Sequence, residues 1–226
     1  MTARLSIVVP TLNEEARIGA CLQALGTLRR RGAEVIVVDG GSTDATVAVA
    51  APLADRVLQA PRGRARQMNA GAAQARAETL LFLHADTRLP DDALHAIETA
   101  LVDPRTHWGR FDVQIDGKPA LLRAVAWLMN LRSRGSGIAT GDQAIFVRRS
   151  AFSRVGGFPD QPLMEDVELS LRLRKWSAPA CLREQVTTSG RRWERDGAWR
   201  TIALMWRLRW LYWTGTPPER LAERYK

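Results

Sequence analysis

The segment Leu80–Asp86 reads L-L-F-L-H-A-D, an apolar run that ends in a His-x-Asp pair. In a strand, the two-residue period sets His84 and Asp86 on the same side, giving two metal-capable side chains at a polar end. One carboxylate is too few for an all-protein magnesium or manganese cage, but it suffices where substrate phosphates complete the shell. The structural alternative is a hydrogen-bonded His84, with Asp86 capping the turn before Pro90. A second acid, Asp39, directly follows Val35–Val38 and precedes Gly40-Gly41, where backbone can approach a ligand closely. Asp39 can equally act as an Asx residue that shapes a turn with Ser42.

A third acidic position, Glu165-Asp166, opens a helical pattern that runs to Trp176. A carboxylate there can act as a general base toward a substrate hydroxyl, or can simply favour the positive end of the helix. Pro61–Gly71 reads P-R-G-R-A-R-Q-M-N-A-G and places three arginines on a turn entering a helix. That is a natural phosphate cradle, and plain solvated charge is the other reading. Gly135–Gly141 misses G-x-G-x-x-G by one residue and follows no strand, and the chain has neither a P-loop nor a G-x-S-x-G elbow. His95 and His107 have no nearby partners in sequence and read as structural or exposed.

The elements that must position these residues alternate through the first hundred positions. Ile7–Glu15 (I-V-V-P-T-L-N-E-E) and Val35–Asp44 (V-I-V-V-D-G-G-S-T-D) are β-branched runs ending in polar turns, the start of a βαβ unit. In such units ligands collect at the carboxyl ends of the strands. Strands are expected at Leu5–Val9, Val35–Val38, Arg56–Leu58 and Leu80–Leu83. Helices are expected at Glu14–Arg31, Asp44–Ala51 (capped by Ser42 or Thr43), Ala65–Ala77 and Asp91–Leu101. Continuous apolar strands separated by helices imply a parallel sheet covered on both faces. Further on, Phe111–Ile115 and Ala144–Val147 read as strands. Ala120–Leu131, Ser150–Val155, Met164–Trp176 and Ala198–Trp213 read as helices, and the Gly/Ser/Arg-rich Arg132–Thr140 as a mobile loop.

With 226 residues, 46% of them apolar, the chain can bury a sizeable core. No segment has the length or apolarity of a transmembrane span or signal peptide. Cys21 and Cys181 lack metal spacing and read as buried free thiols in a reducing cytoplasm. The net charge of +9 resides entirely in residues 101–226, since residues 1–100 hold 11 basic and 11 acidic residues. All eight tryptophans also lie beyond residue 100. The second half is therefore suited to meet something anionic, amphipathic or both.

Taken in order, P-T-L-N-E-E, V-V-D-G-G-S-T-D, a strand ending in H-A-D, G-D-Q-A-I-F-V-R-R, V-G-G-F and E-D-V-E-L-S-L-R-L resemble a family-2 glycosyltransferase of small, soluble type, from about Leu5 to Trp193. The resemblance implies the α/β GT-A fold, a Rossmann-like, mostly parallel sheet flanked by helices, to which a C-terminal aromatic helix is appended here. With no internal repeat, low-complexity tract or linker to split it, the chain reads as one domain over 1–226, in which the resemblance implies a nucleotide-sugar half (1–100) and an acceptor and catalytic half (101–195), followed by a C-terminal helix and tail (196–226). The resemblance also implies an inverting transfer from a UDP- or GDP-sugar to an acceptor hydroxyl, dependent on Mn2+ or Mg2+. Thr11, Glu14 and Asp39 match nucleoside-holding positions, and Arg66 falls beside the nucleotide. His84-Ala85-Asp86 occupies the family's D-x-D position, with His84 in place of the first aspartate and Asp86 as metal ligand. Asp166 matches the catalytic base. Gly141, Asp142, Glu165, Arg192 and Trp193 fall on the acceptor side, the last two as a partial Q/R-x-x-R-W element.

Trp199, Ile202, Ala203, Trp206, Trp210 and Trp213 recur at helical spacing, flanked by Arg200, Arg207 and Arg209. The stripe is expected to pack on the domain or on a second copy of the chain, with contact to an anionic membrane surface at the inner face as the alternative. Specific nucleic-acid binding is not expected. Two rival readings remain at this level. A non-catalytic basic protein for anionic membrane or nucleic acid would not account for Asp39, Asp86 and Asp166 at element ends. A nucleotidyltransferase should carry a Gly-rich, Lys-containing loop after the first strand, where this chain has P-T-L-N-E-E.

Overall fold

The computed structural model describes residues 3–117 and 121–225. The first hundred residues comprise β1 (Leu5–Thr11), α1 (Glu15–Ala24), α2 (Gly26–Arg30), β2 (Ala33–Asp39), α3 (Thr46–Ala50), β3 (Arg56–Gln59), α4 (Arg64–Gln74), β4 (Thr79–Phe82), β5 (Thr87–Arg88) and α5 (Ala93–Ala100). The rest comprises β6 (Trp108–Asp116), α6 (Leu121–Ser136), a 3-10 turn (Gly141–Gln143), β7 (Phe146–Arg148), α7 (Arg149–Arg154), α8 (Glu165–Arg174), β8 (Ala180–Ser189), α9 (Arg191–Asp196), α10 (Ala198–Trp213) and α11 (Pro218–Tyr225).

One eight-stranded sheet runs β3-β2-β1-β4-β7-β6-β8-β5. Its first four strands are parallel, β7 runs antiparallel to both neighbours, and β6 and β8 are again parallel. β1 and β2 are apolar on both faces because both faces are covered. Ile7, Val9, Val35, Val37 and Leu81 enter one cluster, with Leu22 of α1, Ile97 of α5 and Val125 of α6. Val8, Ile36, Val38, Leu80 and Phe82 enter another, with Met68 of α4, Phe152 of α7 and Leu169 of α8. α4 lies so close to the sheet that a Cβ on Gly71 would fall 2.4 Å from Val8 Cγ1. A third, smaller cluster joins Leu163, Met164 and Val167 to Leu208 of α10 and Leu221 of α11.

Several expectations are corrected. Arg132–Ser136 is not loop but the last turn of α6, where Ser136 Oγ donates to Arg132 O at 2.8 Å. Ile138–Thr140 is buried, and the Ala139 amide donates to Ser170 Oγ. The single helix expected over 14–31 divides at Leu25, and α3 is shorter than expected. Neither Ser42 nor Thr43 caps α3, because Ser42 bonds Asp39 and Thr43 bonds Asn13. Ala120, the expected start of α6, lies outside the described residues. β8, α9 and α11 were not anticipated: Arg183, Glu184 and Gln185 interrupt β8 where an apolar run would have marked it. Cys21 is buried, and burial followed by the Asp86 charge pushes its thiol up to about 12. Cys181 is only half-buried; both cysteines are free.

Candidate active site

The carboxyl ends of β1 and β2 end in two turns that are laced together. The Asn13 amide donates to Ser42 Oγ, and the Thr43 amide donates to Asn13 Oδ1, both at 2.9 Å. The Glu14 amide donates to Thr46 Oγ1 at 2.8 Å, and the Ala45 amide to Glu15 Oε2 at 2.9 Å. Much of both polar motifs is thus spent on holding each other. Gln67 of α4 completes the junction, its Nε2 donating to Thr11 O and Val38 O at 2.8 Å each.

A cleft of about 610 Å³ opens at this rim, between the N-terminal turns and the C-terminal elements. Thr11 and Glu14 line it from the β1 turn, Arg62 and Arg64 from the approach to α4, and His84 and Asp86 from the end of β4. Asp142 enters from the 3-10 turn. Thr188, Arg192 and Trp193 enter from the opposite wall, and Tyr225 enters from α11. Arg192 lies over the Tyr225 ring, 3.8 Å from its centroid, and bonds Tyr225 O at 3.0 Å.

The geometry separates the expected site residues. Asp39 lies at the end of β2, but its carboxylate accepts from the Gly41 and Ser42 amides at 2.9 Å and from Ser42 Oγ. It forms an Asx turn. Arg66 pairs with Asp160 at 2.7 Å on the surface, so that of the three arginines of this segment Arg62 and Arg64 line the cleft. Asp142, expected on the acceptor side, stands beside His84, with Nδ1 3.6 Å from its Oδ1.

The charges there are mutually dependent. Burial, then the charges of Asp142 and Glu14, raise the Asp86 pKa, while His84 and Arg64 work against them. Burial opposes ionisation of Asp142, but the His84 hydrogen bond and charge outweigh it and hold its carboxyl below the ordinary value. Burial also opposes the Arg64 charge, yet Glu165, Asp142 and Asp166 raise its pKa above the ordinary guanidinium value. Among the described residues no three His, Cys, Asp or Glu side chains are grouped to hold a metal by themselves. The Asp86 carboxyl, raised chiefly by burial, with His84 close by, is nonetheless a donor set that a divalent cation would fit.

Asp166 sits at the start of α8, behind His84. Its Oδ2 accepts from the Gly141 amide and its Oδ1 from the Val167 amide, each at 2.7 Å. Gly141 lies against His84, and together with Asp166 they border a small side pocket. Glu165 is only 5% exposed. Burial and then the Asp166 charge raise its pKa. The preceding residue, Met164, has φ 65°, and Asn13 and Ala144, the other non-glycine residues at positive φ among the described residues, also flank this site. Two arginines that the sequence did not assign to the site, Arg132 and Arg209, face Asp166 and Asp142. Burial and the like charge of Arg209 pull Arg132 down to about 10, and burial lowers Arg209 as well. Arg132 Nε and Nη2 are buried without a hydrogen-bond partner among the described residues.

The model of "Glycosyl transferase family 2" matches residues 6–155. The beta-monoglucosyldiacylglycerol synthase of Synechocystis sp. is 27% identical over 242 residues, covering 94% of this chain and 50% of that protein. A PGL/p-HBAD biosynthesis glycosyltransferase of Mycobacterium tuberculosis is 40% identical over 91 residues, 37% of this chain and 36% of its own. The chain thus spans half the length of the first of these relatives and about a third of the second. Among solved structures, S. aureus TarS 1-349 in complex with UDP-GlcNAc superimposes with TM-score 0.66 at 19% identity, over 82% of this chain and 58% of that one. The mannosyltransferase PcManGT from Pyrobaculum calidifontis, in complex with GDP-Man and Mn2+, gives 0.61 at 23%, over 83% and 57%. These neighbours share the GT-A fold that the sequence led us to expect. The chain belongs to glycosyl transferase family 2.

Proposed function

We propose that the cleft binds a UDP- or GDP-sugar with a divalent cation and transfers the sugar, with inversion, to an acceptor hydroxyl. The observation that carries this reading is the Gly141 junction, which sets Asp166 directly behind the His84–Asp86 end of the cleft. Thr11 and Glu14 would meet the nucleoside, while Asp39 acts through the shape of its turn. Arg62 and Arg64 would face the diphosphate. Asp86, with His84 beside it, would hold the cation. Bound with diphosphate oxygens, a divalent cation offsets the charge that builds on the leaving nucleoside diphosphate.

Asp166 is oriented by two amides, and each oxygen keeps a lone pair free to accept a proton. As the acceptor oxygen bonds the anomeric carbon, the carbon–oxygen bond to the diphosphate breaks and the hydroxyl proton passes to Asp166. A single displacement from the face opposite the leaving group inverts that carbon. Arg192 and Trp193 line the wall where the acceptor would enter. Asp166→Asn tests the assignment: turnover of the nucleotide-sugar should fall by about 10²- to 10⁴-fold with donor affinity near wild type. Retained turnover in that variant would falsify the base assignment.

A further inference from the structure

The face formed by α6 and α10 takes no part in this chemistry. On α10, Trp199, Trp206, Trp210 and Trp213 are 73%, 73%, 66% and 60% exposed. At the helical repeat they fall in one stripe roughly 60° wide. On α6, Trp127, Leu128 and Leu131 are also exposed. The helices share a packing cluster, Ile202 of α10 lying against the one that holds Leu122, Val125 and Ala126 of α6. The stripe does not pack on the domain, as one of the expectations had it: the opposite side of α10 packs, through Leu204, Leu208 and Leu211, while the tryptophans face outward. A monomeric soluble protein rarely leaves so much contiguous aromatic surface uncovered.

Charge decides between occupants. α6 and α10 together carry six arginines, at 123, 132, 134, 200, 207 and 209, and neither helix contains an aspartate or glutamate. Arg123, Arg200 and Arg207 are exposed, Arg134 is paired with Asp112 at 2.7 Å, and Arg132 and Arg209 turn toward the site acids. On α10, Arg200 and Arg207 border the stripe on one side and Arg209 on the other. Pairing this face with a second copy of itself would set arginine against arginine with no carboxylate on either helix to answer it. A tryptophan stripe bordered by arginines instead matches the headgroup region of an anionic bilayer, where indoles sit half-wetted and guanidinium groups meet phosphate.

We propose that the α6–α10 face docks on an anionic lipid bilayer, with the four α10 tryptophans seated among the headgroups. Thr201 and Met205 lie on the other side of α10 and line the cleft. One helix, roughly 10 Å thick, thus separates the docked surface from the acceptor end of the cleft. The acceptor this geometry suits is an amphiphile that offers its hydroxyl from the membrane. That last step rests on the transfer reading; the docking does not.

Flotation of the full chain with vesicles, in the absence of any nucleotide-sugar, tests the docking. Vesicles of phosphatidylcholine mixed with phosphatidylglycerol should carry the protein to the top of the gradient, and pure phosphatidylcholine should carry far less. Added salt should release it as the charges are screened. The double variant Trp206→Ser/Trp210→Ser, altered only at exposed positions, should bind at least about tenfold more weakly with unchanged Tm. Wild-type protein that stays off anionic vesicles at low salt overturns the proposal, as does a variant that binds equally well. A dimer in sedimentation velocity that the double variant dissociates, without vesicle binding by the wild type, would assign the face to a second copy instead.

Discussion

The Gly141 amide donates to Asp166 Oδ2 at 2.7 Å, across 25 residues of chain. The other side of the same glycine is pressed against His84, so that an added Cβ would lie 2.4 Å from the imidazole Cε1. One residue without a side chain therefore holds the His84 imidazole and the Asp166 carboxylate in a fixed relation.

Gly141→Ala should accordingly be costly out of proportion to one methyl group. Overpacking of this kind costs about 1–3 kcal/mol, visible as a lower Tm, and it should displace His84 and weaken donor binding. His84→Ala in the same chain should restore most of the lost Tm by making room. If the double variant is as unstable as the sum of the singles, the His84 contact is not the cause.

Arg64 and Arg66 should separate cleanly although they are two residues apart. Removing a charge-assisted partner of a diphosphate costs about 1.5–3 kcal/mol, so Arg64→Ala should weaken nucleoside diphosphate binding by roughly ten- to a hundredfold. Arg66→Ala breaks only an exposed, solvent-screened pair with Asp160 and should leave nucleoside diphosphate binding near wild type. Calorimetric titration with UDP and GDP checks both, and a larger loss at Arg66 would contradict the placement.

Glu165 provides a pH test. Burial and Asp166 raise its pKa in the folded protein, so the folded state holds this proton more tightly than the unfolded chain. Its contribution to stability is therefore complete in acid and is lost as pH rises from the unfolded value through the folded one. Glu165→Gln should match wild type at low pH and become progressively more stable than wild type as pH rises. A Tm difference that does not change with pH contradicts this.

The βαβ alternation was legible because β1, β2 and β4 are nearly unbroken apolar runs whose polar ends announce themselves. So was the convergence of His84, Asp86 and the Glu165-Asp166 pair near one rim. Asp39 and Arg66 read less well, because a sequence shows that a carboxylate or guanidinium is present and not what it is already bonded to. Ser42 and the local amides claim the first, and Asp160, 94 residues away, claims the second. The long partners of β8 and α11 were hidden for the same reason. Their polar residues make sense only once β6, β5 and the cleft lie beside them. Helical spacing gave the tryptophan stripe but not its direction, because Leu204, Leu208 and Leu211 offer an equally apolar side to the core.

Titration of UDP- and GDP-sugars in the presence of Mn2+, with wild type and Asp86→Ala side by side, tests the central claim most directly. The account predicts one-to-one binding of a nucleotide-sugar by the wild type, and a loss of at least about tenfold in the variant that excess metal does not repair. Failure of every nucleotide-sugar to bind, or equal affinity in the two proteins, would contradict it.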